Sequence, residues 1–374
     1  MAGIYLHIPF CKRACHYCNF HFSTVLHQKA AVVRALEKEL VLQKGYLGGQ
    51  PVNTIYFGGG TPSLLSQTEL QRLLVVVREH YTVAQDAEIT LEANPDDIDE
   101  TVLQQWLQVG INRLSVGVQS FWDDELRWMN RTHDAGAAHK CIQQIKAVGF
   151  DNYSIDLIYG SPLLRDEQWR QHVEIAIGYS VPHLSCYALT VEEKTALHHF
   201  IQQKGSPPVE EEKAARQFSL LMQWLKASGY VQYEVSNWAL PGKHSRHNSS
   251  YWSGTHYLGI GPSAHSFNGT TRQWNVANNA LYTKSIEAGI VPFEAEQLTP
   301  ANRLNEHLMT RLRTAAGLDV TALEPLANAA QITGIHQQLK KYEQQGLVHM
   351  HNHMAQLTDA GMLQADGIAA SLFV

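Results

Sequence analysis

The chain has 374 residues and a formal net charge of −6, long enough for a large core and more than one domain and too acidic to find nucleic acid through a global positive field. No run of about 20 apolar residues is available to span a bilayer, and five cysteines are too few for a disulfide framework in a chain this long. The start, MAGIYLHIPF, lacks a basic segment followed by a long apolar stretch, so a reducing, cytoplasmic location is expected.

Residues 4–8 read as a strand. Residues 31–42 follow as a helix, with Val33, Leu36, Glu37 and Leu40 at helical spacing. The pattern repeats. A strand at 54–57 precedes a helix at 67–78 with Leu70, Leu73, Leu74 and Val77 on one face. A strand at 88–91 precedes a helix containing Leu103, Trp106 and Leu107. A strand at 114–118 precedes helical sequence reaching residue 148, one at 154–158 precedes a helix at 169–177, and 183–189 is again strand-like. These six alternations have strands too apolar for a wet face, which predicts a parallel sheet covered by helices. Six regular units suit a closed or partly closed barrel better than a two-halved open sheet, although periodicity does not decide between them.

The rhythm changes after about residue 200. QKGSPP at 203–208 marks a loop, and 211–227 reads as a helix. Residues 229–275 are dense in Gly, Ser, Asn, His and aromatics and are expected to be ordered without forming simple helix or sheet. Residues 299–312 return to helix. The last sixty residues suggest a small helical bundle with a short hairpin, similar to a winged helix. The acidic chain and the lack of a basic recognition face argue against DNA as its ligand. The expected boundaries are a barrel core at 1–235, a linking region at 236–298 and a helical, winged-helix-like domain at 299–374.

The densest chemistry is CKRACHYCNF, where Cys11, Cys15 and Cys18 follow a C-x3-C-x2-C pattern and Phe20 stands where a fourth cysteine could follow. Thiolates select zinc or an iron–sulfur cluster. A Cys3His zinc site with His16 or His21 is one alternative, although no second ligand pair follows. An electron-transfer [4Fe–4S] cluster takes four cysteines. Three would leave one iron open to a ligand from outside the chain. FGGGTPS at 57–63 follows a strand and is not the dinucleotide fingerprint. Gly58, Gly59 and Gly60 either bring backbone close to a ligand or form a structural turn.

Taken together, CxxxCxYC and FGGGTPS resemble the radical S-adenosylmethionine (SAM) superfamily. The resemblance implies a partial (β/α)6 TIM-like barrel and a [4Fe–4S] cluster on Cys11, Cys15 and Cys18. It further implies that SAM chelates the open iron and is cleaved to a 5′-deoxyadenosyl radical. The narrower resemblance is to the oxygen-independent coproporphyrinogen oxidase group, and within it to the haem chaperones. It is carried by IYLHIPFCKRACHYCNF, YFGGGTPS, LEANP, RLSVGVQSF, NRTH, IDLIYG, HLSCYALTVEEKT, YEVSNWALPGKHSRHNSSYW, YLGIGPSAHSF and RLRTAAGLD. These stretches touch residues 4 to about 319, and the tail is similar only in outline. By this resemblance Tyr5 lies near the cluster and SAM. Gly58, Gly59, Gly60 and Thr61 meet the methionyl end, and Glu92, Gln119, Arg131 and Asp156 surround the ligand. Glu92 and Gln119 fall at strand ends, where barrel sites assemble. Capping of strand ends is the plainer reading of Gln119 and Asp156, and Arg131 reads equally as a surface charge.

True coproporphyrinogen oxidases resemble CxxxCxFCxC; the Phe20 departure points instead to the chaperones, as does HNxxYW, matched by His247, Asn248, Tyr251 and Trp252. A histidine beside two aromatic rings can serve as a haem platform, or it can be a buried turn with a hydrogen-bonded imidazole. The resemblance thus implies a haem chaperone holding a cluster, SAM and haem. Its alternative is an enzyme that oxidatively decarboxylates coproporphyrinogen III to protoporphyrinogen IX. The implied partners are haem, haem-acceptor proteins of a respiratory, membrane-associated kind, an electron donor for the cluster and a second copy in a homodimer, with no nucleic acid.

Overall fold

A computed structural model describes residues 1–374. The first half is β1 (Ala2–Ile8), α1 (Lys29–Leu42), β2 (Val52–Gly59), α2 (Gln67–His80), β3 (Val83–Ala93), α3 (Glu100–Val109), β4 (Arg113–Gln119), α4 (Asp123–Trp128), α5 (Ala135–Val148), β5 (Tyr153–Tyr159), α6 (Asp166–Gly178) and β6 (His183–Ala188). β1 to β6 are parallel and lie side by side in chain order. The expected six-unit barrel wall is therefore present, and its strand ladder does not close on itself.

The helices begin and end where local chemistry directs. Ser66 and Glu69 form a reciprocal capping box at the start of α2, whose buried face is Leu70, Leu73, Leu74 and Val77. Asp99 caps α3 and Asp134 caps α5, each accepting from a backbone N–H three residues on. These helices cover β-strands of nearly continuous apolar sequence, such as Ile4, Leu6 and Ile8 on β1, all buried.

The chain continues through α7 (Ala196–Gln202), α8 (Glu211–Ala227), β7 (Val231–Glu234), β8 (Asn237–Ala239), α9 (Arg246–Trp252), β9 (His256–Ile260), β10 (His265–Phe267), β11 (Thr271–Asn275), α10 (Asn279–Glu287) and β12 (Phe293–Gln297). Here the structure departs from the sequence reading. Residues 229–275 form short strands and one helix, α9, and the strands of 236–298 extend both sides of the barrel wall. β8 and β7 join antiparallel beyond β6. β9 lies parallel to β1 and is followed by β10, β11 and β12 in antiparallel steps. These strands have three to five residues each and little apolar alternation, so their pairing is set by neighbours rather than by pattern. Buried Glu39 of α1 ties this segment down by accepting from Gly261 N–H (2.8 Å), Asn275 Nδ2 (2.7 Å) and Tyr282 Oη (2.5 Å).

The tail comprises α11 (Pro300–Leu312), β13 (Leu318–Asp319), α12 (Ala329–Gln344), β14 (Val348–His351), β15 (Met354–Leu357), α13 (Asp359–Met362) and α14 (Ala365–Ser371). Its small sheet runs β13–β15–β14, a hairpin among helices as expected. No helix in the chain is long and apolar enough to cross a membrane.

Candidate cofactor site

β1 carries the chain to the mouth of the barrel, where the cysteine loop begins. The loop is tied down on several sides. Cys11 N–H donates to Ser23 O (3.1 Å) and Ser23 N–H to Pro9 O (2.9 Å), which closes its base. The turn after α4 holds the opposite side. His16 N–H donates to Met129 O (3.1 Å), His16 Nδ1 to Trp128 O (2.7 Å), and Asn130 Nδ2 to Ala14 O (2.8 Å). Leu197 N–H of α7 donates to His16 O (2.8 Å). His21 Nε2 bonds Asn279 Oδ1 (2.8 Å), and neither His16 nor His21 lines the cavity that the three thiols share. Neither joins the thiols, and no three His, Cys, Asp or Glu side chains converge on a single-ion position. The Cys3His alternative does not match this geometry.

A cavity of about 410 Å³ opens at the carboxyl ends of the parallel strands. Its wall brings together Cys11, Cys15, Cys18, Gly59, Gly60, Thr61, Glu92, Gln119, Arg131 and Asp156, residues spread over the first 156 of the sequence. Gly58 lies just behind the wall: a Cβ there would stand 3.0 Å from Glu92 Oε1. Gly59 is dictated by space and dihedral, and Gly60 by space alone. Gly59 has φ +111°, and a Cβ on it would stand 2.6 Å from the His7 ring. A Cβ on Gly60 would stand 2.7 Å from Phe10 O. Gln119, at φ +67°, holds a left-handed conformation at the end of β4, of the kind that concentrates at functional sites.

Arg131 is no surface charge. Its Nη2 donates to Asn94 Oδ1 and to Gly117 O, both at 2.7 Å, and its Nη1 reaches Cys15 Sγ at 3.3 Å. Burial alone would lower its pKa, but Tyr17 and Cys15 beside it keep the value raised. Glu92 accepts from Tyr56 Oη (2.8 Å) and Gly59 N–H (3.1 Å). Burial pushes Glu92 up to about 7, and Asp156 adds to the effect. Burial likewise pushes Asp156 up to about 6, the Cys11 thiol up to about 11 and the Cys18 thiol upward.

This wall fits a cluster held by three thiolates. All three cysteines are free and partly exposed, a guanidinium touches one of them, and Arg131 Nε and Asp156 Oδ1 are buried with no protein partner. Such orphaned polar atoms on a cavity wall call for a polar ligand. Tyr56 and Asn94 are not marked by the sequence reading. The alternation Thr54, Tyr56, Gly58 along β2 is the signal that puts Tyr56 on the inner face.

Tyr5 does not line the cavity but packs beneath Gly58, where a Cβ would stand 2.8 Å from its Cε2, and the HNSSYW residues lie deeper. Tyr5 sits one layer below the cavity, its Oη 3.2 Å from His7 Nδ1. HNSSYW is not a ligand loop. It is helix α9, capped by Ser245 and buried at His247, which is 1% exposed. Both imidazole nitrogens have partners, Nδ1 with Thr54 Oγ1 (2.8 Å) and Nε2 with Tyr251 Oη (3.1 Å). Burial lowers the ring's pKa to about 3, so it stays neutral. Trp252 faces the tail, with the Arg313 guanidinium 5.3 Å from its ring centre. Of the two readings of this motif, a haem platform or a buried histidine with a hydrogen-bonded imidazole, the geometry matches the second: the imidazole points into the barrel and both nitrogens are hydrogen-bonded.

The chain is similar to known proteins along its whole length. Residues 5–176 match the Radical SAM superfamily and residues 298–363 match the HemN C-terminal domain. The haem chaperone HemW of Mycobacterium tuberculosis H37Rv is 34% identical over 99% of this chain and 94% of its own. That of Bacillus subtilis 168 is 33% identical over 97% of both chains. Among solved structures, the coproporphyrinogen III oxidase HemN of Escherichia coli, a radical SAM enzyme, matches with a TM-score of 0.86 and 25% identity over 100% of this chain and 90% of that one. Three thiols on a barrel mouth, the glycine-rich β2 end and likeness over the full length make this chain a member of the radical SAM superfamily, closely related to its HemW branch.

Proposed function

We propose that the chain binds a [4Fe–4S] cluster on Cys11, Cys15 and Cys18 and SAM beside it, and that it handles tetrapyrroles, carrying haem to acceptor proteins. The observation behind the cofactor part is the shared cavity wall of three thiols, Arg131, Glu92 and the Gly59–Gly60 cradle. When bound, the cluster supplies an open iron and an electron for reductive cleavage of the SAM sulfonium. The chain's own groups do the rest. Arg131, fixed by Asn94 and Gly117, offsets thiolate charge at Cys15 and carries its guanidinium on the cavity wall, where it can pair with an anionic ligand group. Glu92 is held by Tyr56 and Gly59 so that its remaining lone pairs accept ligand hydroxyls. Gly59 and Gly60 let backbone carbonyls approach the amino group of the methionyl end.

The haem part is supported by Phe20 and by the relatives. Phe20, in the place of a fourth cysteine, is 68% exposed at the cavity mouth. Arg13 and Phe22 line the same mouth, as does Lys12, whose ammonium is paired with Asp96 and Asp97. An exposed ring beside cations suits a flat macrocycle bearing propionates. Because His247 lies inside, haem is taken to meet this rim rather than α9. The relatives named haem chaperones align along nearly their whole length.

A second reading is oxidative decarboxylation of coproporphyrinogen III. It has support of its own. The cavity encloses a radical-generating site, the likeness to a coproporphyrinogen III oxidase runs through the whole chain, and HNSSYW offers no open haem ligand. Phe20 and the named relatives weigh the other way. One anaerobically reconstituted sample tests both readings. Haem carriage requires a Soret shift saturating at about one haem per chain and transfer to an apo-acceptor, with no protoporphyrinogen formed. Protoporphyrinogen formed over many turnovers, without tight haem binding, would replace it with the second reading.

A further inference from the structure

The inner face of the barrel is layered. Residues two apart on a strand share a face, and register puts Gly3 opposite Thr54, Tyr5 opposite Tyr56 and His7 opposite Gly58. β3 continues the bottom two layers with Glu88 opposite Thr54 and Thr90 opposite Tyr56. Helix α9 closes the bottom. Glu88 receives its first amides from within the barrel, Arg246 N–H at 3.1 Å and His247 N–H at 2.9 Å. Gly3 leaves room for the Thr54 hydroxyl that holds the imidazole: a Cβ there would stand 2.9 Å from Thr54 Oγ1 and in ordinary contact with His247 Cε1 at 3.5 Å. Above the imidazole lies Tyr56, stacked at 4.7 Å between ring centres and 23° between planes, with Tyr5 stacked more loosely at 6.5 Å. Tyr56 Oη then holds Glu92 Oε1 at 2.8 Å.

We infer that His247 is a positioning residue for the cofactor site: wedged under Tyr56, it fixes the hydroxyl that holds Glu92, so helix α9 shapes SAM binding from the closed end of the barrel. This rests on the reading of Glu92 as a SAM contact. The imidazole suits the task because both nitrogens are pinned, one by Thr54 and one by Tyr251. The ring therefore presents a fixed face to Tyr56. An aliphatic side chain would fill the space without this orientation, and alanine would leave a void into which Tyr56 can tilt.

The test is SAM titration by calorimetry on the full-length, anaerobically reconstituted protein, with iron content and thermal midpoint measured alongside. Glu92→Ala comes first. Wild-type SAM affinity in that variant overturns the reading of Glu92 and this inference with it. Tyr56→Phe removes one hydroxyl and keeps the ring; about a tenfold loss of SAM affinity is expected, the order of one buried hydrogen bond. His247→Ala is expected to lose a similar factor with iron content unchanged. If the alanine variant does not fold, His247→Gln keeps a polar group and removes the stacking face, and the same loss is expected. The double variant with Tyr56→Phe separates positioning from general damage. Since both changes act through the same hydroxyl, the double should bind SAM no more than about twofold weaker than Tyr56→Phe alone. A His247 variant that binds SAM like wild type while Glu92→Ala does not would overturn the inference. So would a double variant with the full hundredfold, additive loss.

Discussion

Gly60→Ala perturbs the junction on which the cysteine loop depends. Gly60 N–H donates to Ile8 O at 2.9 Å, which clamps the end of β2 to the end of β1. An added Cβ would stand 2.7 Å from Phe10 O, 2.8 Å from Phe10 N and 2.9 Å from Ile8 O. All three are backbone atoms, so no side chain can swing aside, and the two strand ends must part by about half an ångström to regain van der Waals contact. Overpacking of this kind costs about 1–3 kcal/mol, which corresponds to a fall of roughly 2–6 °C in Tm for a domain of this class. The functional cost is larger than the stability cost, because Phe10 is bonded directly to Cys11 and the shift passes to the first thiol. The assay is iron per chain after anaerobic reconstitution, beside Tm from calorimetry. Wild type should hold about four irons, and Gly60→Ala should hold less than half of that. Gly45→Ala is the control, since nothing lies within 4 Å of its Cβ position. Full iron loading and an unchanged Tm in Gly60→Ala would falsify the close-approach argument.

Alanine at Cys11, Cys15 or Cys18 should abolish iron loading, whereas alanine at buried Cys141 or Cys186 should leave it intact; iron retained by Cys15→Ala ends the three-thiol assignment. Arg131→Lys keeps the charge but loses the fork that spans Asn94, Gly117 and Cys15; SAM affinity should drop about tenfold or more, and calorimetric affinity equal to wild type contradicts it. Glu39→Ala leaves the Gly261, Asn275 and Tyr282 donors without their acceptor and should cost about 3–5 kcal/mol, read by denaturant unfolding. Burial pushes the Glu39 carboxyl up to about 7, above its unfolded value. Its contribution to stability is thus complete below about pH 4.5 and is lost as pH rises through 7. Glu39→Gln should flatten the pH dependence of Tm across that window, and a curve parallel to wild type would show that Glu39 does not set it.

Local signals in the sequence made much of this molecule legible. The strands β1 to β6 announce themselves as short apolar runs, and α2 carries both its capping box and its buried face within twelve residues. The cysteines and Gly58–Gly60 are also local patterns, and Glu92 is marked by its place at a strand end. What the sequence hides is set by partners far along the chain. Arg131 reads as a surface charge until Cys15 and Asn94 meet it. His247 reads as an open ligand beside aromatics because the residues that bury it, Gly3, Thr54 and Glu88, lie more than 150 positions earlier. β12 shows the same limit from the other side: its five residues are all exposed, so no apolar period marks it as a strand.

The seat of the cysteine loop also has a bearing on the order of events during synthesis. The three thiols leave the ribosome well over a hundred residues before the groups that hold their loop. Met129 and Asn130 fix one side and Leu197 another, and β1 gains its second neighbour only when β9 ends at Ile260. At roughly 5–20 residues per second, the nascent thiols wait on the order of ten to fifty seconds in a segment whose final neighbours do not yet exist. Iron delivered during that interval meets a flexible trio of cysteines rather than a shaped site. Loading after release, onto the completed barrel, is therefore the orderly route, and a newborn chain must be kept reduced until then.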